Sequence, residues 1–258
     1  MTARRRARTI IGRAVSLLHR SPTAGRILLY HRIGEDGDPV MCVKPRRFRD
    51  HLEALAASGS RVAAVRELID AGWPAGRVAM SFDDGDASAG AAATLLLERG
   101  WSATLFVVPE WVGRAGRLAW GDLAELARAG CEIGSHGLAH EPLCDADAGA
   151  VTARLETARA HVQERLGVAA EGLAYPFGLF DGRASAAAAR AGHRYACTTL
   201  PGRNDAATPA FLLHRNEVFG DDDAAALRGK LAGSDDWMAL VRRAEVARRC
   251  RARARASA

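Results

Sequence analysis

Two adjacent carboxylates, Asp83 and Asp84, follow the apolar run RVAMSF at 77–82. Neighbouring residues point in different directions, so one carboxylate can hold a cation while the other works as a base. The ordinary use of Asp after a strand is to cap the next helix. His136 and His140 stand four apart. On a helical turn that spacing puts both imidazoles on one face, where they can chelate one metal ion. Either feature alone is common on protein surfaces. Together, one Asp and two His form a facial ligand set that leaves positions open for water and substrate. Zinc suits that set, as do other divalent first-row metals. His31 follows an apolar run and His214 ends one. Either imidazole could supply a general acid near neutral pH.

These residues need a scaffold that gathers strand ends. Short apolar runs at 26–30, 77–82, 103–108, 131–134, 172–175, 195–199 and 211–218 read as buried strands. Longer helical patterns separate them, at 48–57, 87–98, 123–129, 148–166, 184–191, 224–231 and 237–249. Repeated strand–helix alternation implies a parallel sheet covered by helices. With about seven such units the expected fold is α/β, a distorted (β/α) barrel in a single domain. An open doubly wound sheet is the alternative. In both architectures active residues sit at the carboxyl ends of the strands. His31, Asp83-Asp84, His136 and the turn Pro176-Phe177-Gly178 all fall there.

The 258 residues are 48% hydrophobic and 26% charged, a globular composition. The formal charge of +6 hides an asymmetry. Residues 1–20 carry six Arg and no acid, and residues 241–258 carry seven Arg and one Glu. Between them the chain has 23 basic and 29 acidic residues. An acidic body argues against nucleic acid as a partner. The basic ends suit solvated termini or peripheral contact with an anionic membrane. The expected division is a basic helical segment at 1–24, a catalytic domain at 25–240 and an Arg-rich tail at 241–258. Arg4, Arg5, Arg6 and Arg8 open the chain like an export signal, but Arg13 breaks the apolar stretch that follows. The five scattered cysteines form no CxxC pair, and reduced thiols in a cytoplasmic protein are expected. The expected location is therefore cytoplasmic, or peripheral on the inner membrane face.

The motifs resemble those of the polysaccharide deacetylases of the NodB-homology type. Ser81-Phe82-Asp83-Asp84-Gly85 is similar to the first family motif. Ser135-His136-Gly137-Leu138-Ala139-His140 is similar to the second, and Ala174-Tyr175-Pro176-Phe177-Gly178 to the third. The resemblance implies one divalent metal ion, zinc by preference, held by Asp84, His136 and His140. It implies Asp83 as general base and the backbone N–H of Tyr175 as an oxyanion donor. Ala174 departs from the pattern, because the family usually places there an Arg that braces the catalytic Asp. Leu29-Tyr30-His31-Arg32, with the AYPFG segment, resembles the deacetylases of bacterial exopolysaccharide systems, including those acting on poly-N-acetylglucosamine. That subgroup implies His31, rather than His214, as general acid, and Arg215 on a last strand facing the site.

The expected activity is therefore metal-dependent N-deacetylation of amino sugars in a bacterial exopolysaccharide or its lipid-linked precursor. Trp111, Trp120 and Phe177 are candidates for stacking on sugar faces. The same site would also serve an O-acetyl esterase or a hydrolase of small or lipid-linked amides. A catalytically silent carbohydrate-binding protein is the non-enzymatic alternative.

Overall fold

The computed structural model describes residues 25–144 and 147–256. The helical segment expected at 1–24 lies outside the described residues. The strands are β1 (Arg26–Tyr30), β2 (Arg32–Ile33), β3 (Cys42–Val43), β4 (Arg61–Ala63), β5 (Arg77–Phe82), β6 (Thr104–Val107), β7 (Glu132–Ser135), β8 (Gly172–Ala174), β9 (Tyr195–Cys197) and β10 (Asn216–Glu217). The helices are α1 (Pro45–Ala57), α2 (Val65–Asp70), α3 (Ala87–Leu97), α4 (Trp120–Arg128), α5 (Ala148–Leu166), α6 (Gly182–Arg190), α7 (Ala224–Leu231) and α8 (Met238–Ala256).

The main sheet is parallel throughout and runs β10-β1-β5-β6-β7-β8-β9, with β4 beside the first half of β5. One short segment links its two edges. Leu213 bridges to Cys197 at the end of β9, while Asn216 and Glu217 pair with Leu28 and Leu29 of β1. The expected distorted barrel is thus present, and residues 213–217 form its last stave. The single strand expected at 211–218 is not continuous. It opens with a helical turn at Ala210–Leu212 and must then pass from one neighbour to another, which leaves β10 only two residues long.

The strands are buried on both faces, as expected where helices cover a parallel sheet. Leu28, Tyr30, Met80 and Phe82 point out under the helices, and Ile27, Ala79, Phe106, Ala174 and Cys197 cluster inside. A strand period of two therefore carries Ala79, Ser81 and Asp83 up the inner wall. Gly134 gives the interior its room, because a Cβ there would lie 2.5 Å from the Phe106 ring.

Four aspartates start helices. Asp86, Asp147, Asp181 and Asp223 accept backbone N–H bonds at the first turns of α3, α5, α6 and α7. Asp86 caps the helix after β5, so Asp83 and Asp84 are not needed as caps. The Arg-rich tail expected from residue 241 is helical to Ala256, and that boundary falls inside α8. Val246 and Cys250, four apart, bury one stripe of this helix. Cys250 is also bonded to Cys144 in a disulfide, which corrects the expectation of thiols only. Cys42, Cys131 and Cys197 are free and buried.

Candidate active site

The carboxyl ends of β1, β5 and β7 bring the polar residues together. Asp84 Oδ1 lies 3.5 Å from His136 Nε2 and 3.4 Å from His140 Nε2. Four ligands about 2.1 Å from one ion stand roughly 3.4 Å apart, so this spacing fits a single cation. The donor atoms support the same reading. Asp84 Oδ1 is buried and has no hydrogen-bond partner among the described residues. His136 Nδ1 lies 2.8 Å from the carbonyl oxygen of Ala174. Because a carbonyl can only accept, that bond places a proton on Nδ1 and turns Nε2 toward Asp84. Burial, with His136 alongside, pushes His140 well below the usual histidine range, so its imidazole is neutral at neutral pH. The residues present thus fit one divalent metal ion.

The backbone around this cluster is unusual. Asp84, His140 and Phe177 have φ of 71°, 58° and 58°, in the left-handed region that non-glycine residues rarely occupy. Among the described residues only Trp73 joins them. Concentration of such conformations in one place marks a site whose side-chain directions outrank backbone comfort.

Asp83 points into the barrel and is fully buried. Both its oxygens accept from one guanidinium, Arg215 Nη1 at 2.6 Å and Nη2 at 2.8 Å. Arg215 also donates from Nε to the carbonyl of Thr198 and lies over the Phe106 ring. Burial works against the Asp83 charge, but Arg215, then His136, outweigh it and hold the carboxyl at about 2. The brace missing at Ala174 is therefore supplied from the other side of the barrel, by the last stave. Ala174, small and fully buried, keeps its carbonyl on His136.

The N–H expected as oxyanion donor is already engaged. The Tyr175 N–H already donates to Cys197 O at 3.1 Å, because β8 pairs with β9 there. Its hydroxyl points toward α6, donating to Phe211 O and pairing with the Ser185 hydroxyl. Two residues on, the Phe177 N–H makes no hydrogen bond among the described residues. The left-handed turn presents its ring, half exposed, against His140 at 4.4 Å. The Pro-Phe-Gly turn was the signal in the sequence that could have pointed to Phe177.

His31 and His214 separate clearly. His31 is half-buried, its Nδ1 lacks a partner among the described residues, and its charge acts on Asp83. His214 packs against Gly202, and its charged neighbours are Asp236, Arg243 and Arg26, none of them in the site. The Trp111 ring lies 4.9 Å from that of His140, tilted by 35°, whereas Trp120 begins α4 and packs on the core. Sequence reasoning missed Arg117. Its guanidinium lies over Trp111 at 4.5 Å and donates to Asp84 O at 3.0 Å. Nothing in its surrounding sequence singles it out.

A parallel barrel that sets an Asp-His-His cluster beside a second, ionised carboxylate is built for hydrolysis. Residues 71–196 match the family model described as polysaccharide deacetylase, a family of hydrolases that act on amide bonds of acetylated sugars. Solved structures share the fold. Streptococcus pyogenes deacetylase PplD, in complex with acetate, is 22% identical with a TM-score of 0.72, over 82% of this chain and 99% of that one. IcaB from Ammonifex degensii is 22% identical with a TM-score of 0.71, over 82% and 97%. A de-N-acetylase from Aggregatibacter actinomycetemcomitans is 17% identical with a TM-score of 0.71, over 80% and 98%. No curated protein matches the chain.

Proposed function

We propose that this protein is a metal-dependent N-deacetylase that removes acetyl groups from amino sugars of a bacterial exopolysaccharide or its precursor. The observation that carries the reading is the orphaned Asp84 Oδ1 facing two imidazole Nε2 atoms beside the ionised Asp83. Likeness in fold to the de-N-acetylase from Aggregatibacter actinomycetemcomitans supports an N-acyl bond as the one cleaved.

Asp84, His136 and His140 would hold the ion, with zinc the preferred metal. When bound, such an ion acidifies water and polarises an acyl carbonyl. Asp83 accepts the proton of the attacking water. Arg215 keeps Asp83 ionised and fixes the plane of its carboxylate. The Phe177 N–H donates to the oxygen of the tetrahedral centre, a contact worth roughly 3–4 kcal/mol where such donors have been removed. His31 gives a proton to the departing amine. Trp111 and Phe177 form an aromatic border beside His140, suited to a sugar face.

The disulfide bears on location. Such bonds persist in oxidising compartments. The Cys144–Cys250 pair therefore favours the growing or finished polymer, outside the cytoplasm, over a precursor on the inner membrane face.

The test is acetate release from N-acetylglucosamine oligomers by zinc-loaded protein, with Asp84→Ala alongside. Release that disappears in the variant is the expected result. No release from protein shown to hold its metal would reject the N-acetyl substrate, and O-acetylated sugars would be assayed next.

A further inference from the structure

We propose that the cavity between α6 and α8 binds the hydrocarbon chain of an anionic membrane lipid, with the lipid phosphate held by Arg243 and Arg251. The inference rests on this cavity and not on the deacetylase reading. The cavity measures about 580 Å³, inside the roughly 300–1,000 Å³ range of small-molecule sites. Phe180, Phe211, Leu212, Val246 and Ala247 line it, so its walls are apolar. Its charged lining residues are Asp181, Arg183, Arg243 and Arg251. Asp181 and Arg183 cancel, because Arg183 donates to Asp181 Oδ2 from both Nε and Nη2. Arg243 and Arg251 are exposed and have no ion pair among the described residues. An apolar chamber with two guanidinium groups that lack an ion pair among the described residues calls for a ligand with a hydrocarbon body and an anionic head.

A second observation places that ligand in a membrane. α8 carries seven Arg and one Glu, and among its described side chains only Val246 and Cys250 are buried. Just ahead of Arg243, Trp237, Leu240 and Val241 are exposed, Leu240 to 79%. Exposed apolar side chains next to a cationic helix face are the make-up of a segment that lies in an anionic lipid surface. Charge also argues against two other occupants. Residues 1–20 bring six Arg and no acid, and α8 of a second copy brings seven. Either would meet a rim of like charge.

The test uses the full chain and two probes. Dodecyl phosphate, kept monomeric, is titrated by calorimetry against inorganic phosphate and dodecyl maltoside. Co-sedimentation then compares phosphatidylcholine vesicles with vesicles containing phosphatidylglycerol. The expected result is binding of dodecyl phosphate, no binding of inorganic phosphate, and sedimentation only with phosphatidylglycerol. Arg243→Gln with Arg251→Gln should weaken both by about thirtyfold, taking ~1 kcal/mol for each arginine near an anionic surface. Ala247→Trp, which fills the cavity, should abolish dodecyl phosphate binding and weaken sedimentation. Near-ultraviolet circular dichroism checks that each variant is folded. Equal binding of inorganic phosphate would reduce the site to an anion contact and overturn the proposal. So would vesicle binding untouched by Ala247→Trp, which would mean adsorption on the surface of α8. Binding that emerges only after removal of residues 1–24 would make that segment the occupant.

Discussion

Arg215 grips both carboxylate oxygens of Asp83 from 132 residues away in the chain, and both side chains are buried. The pair joins the last stave of the barrel to the strand that bears the candidate base. Removing one partner leaves an uncompensated buried charge. Arg215→Ala should therefore cost about 3–5 kcal/mol in urea unfolding, together with most of the activity. Ala174→Arg in that background returns a guanidinium from β8, where the family pattern usually has it. Partial recovery of turnover is the expected outcome. Stability equal to the parent in Arg215→Ala would show that the ion pair contributes nothing to the fold.

The site predicts a clean division between its two carboxylates, Asp84 in the Asp-His-His cluster and Asp83 beside it. Asp84→Ala and His136→Ala should lose both bound zinc, read by elemental mass spectrometry, and acetate release. Asp83→Asn should keep its zinc and lose release, because the amide cannot accept the proton. Zinc should raise the melting temperature of the parent and of Asp83→Asn, since an ion that binds only the folded state stabilises it. Equal loss of metal from Asp83→Asn and Asp84→Ala would put Asp83 among the ligands and leave the base unassigned.

For the proton donor, His31→Ala should cut kcat by roughly 10²–10⁴, the usual contribution of a positioned acid. His214→Ala should change kcat by no more than a few fold, because its neighbours are Gly202, Asp236 and Arg243. The reverse ranking would move the acid to His214 and with it the subgroup assignment.

Much of this arrangement could be read from residue order. Apolar runs ending in Asp83-Asp84, His136 and His31 marked the strands and the face of the barrel where they end. β2, β3, β4 and α2 went unseen because two to six residues carry too little periodicity to register. The Tyr175 N–H was expected to be free because motif spacing does not reveal which N–H the β8–β9 ladder already uses. Arg215 was expected to face the site, but its grip on Asp83 depends on a contact across the barrel that no local pattern contains. The disulfide was missed for the same reason, its cysteines being 106 residues apart.

That disulfide ties α8 to the loop that follows His140. Closing a loop of about 100 residues restricts the unfolded chain by up to about 4.7 kcal/mol, with 2–4 kcal/mol typical in practice. Cys144→Ser should lose stability in that range by urea unfolding. Reductant should destabilise the parent and leave the variant unchanged. Because Cys144 lies four residues after His140, zinc affinity should fall as well. A reductant effect of equal size in Cys144→Ser would assign the sensitivity to another group.

His193 predicts how stability depends on acid. It is 4% exposed, and burial, followed by the charge of Arg159, lowers it to about 4 from 6.5. Between those values the unfolded chain binds a proton that the folded protein refuses. Unfolding is then favoured as pH falls, so the contribution of the neutral ring is complete above about pH 6.5 and lost by about pH 4. The shift corresponds to roughly 3 kcal/mol across that window. His193→Gln cannot titrate, and its urea midpoint should fall less steeply between pH 6.5 and 4 than that of the parent. Parallel slopes in the two proteins would mean that other groups, such as the carboxylates of the barrel, set the acid limb.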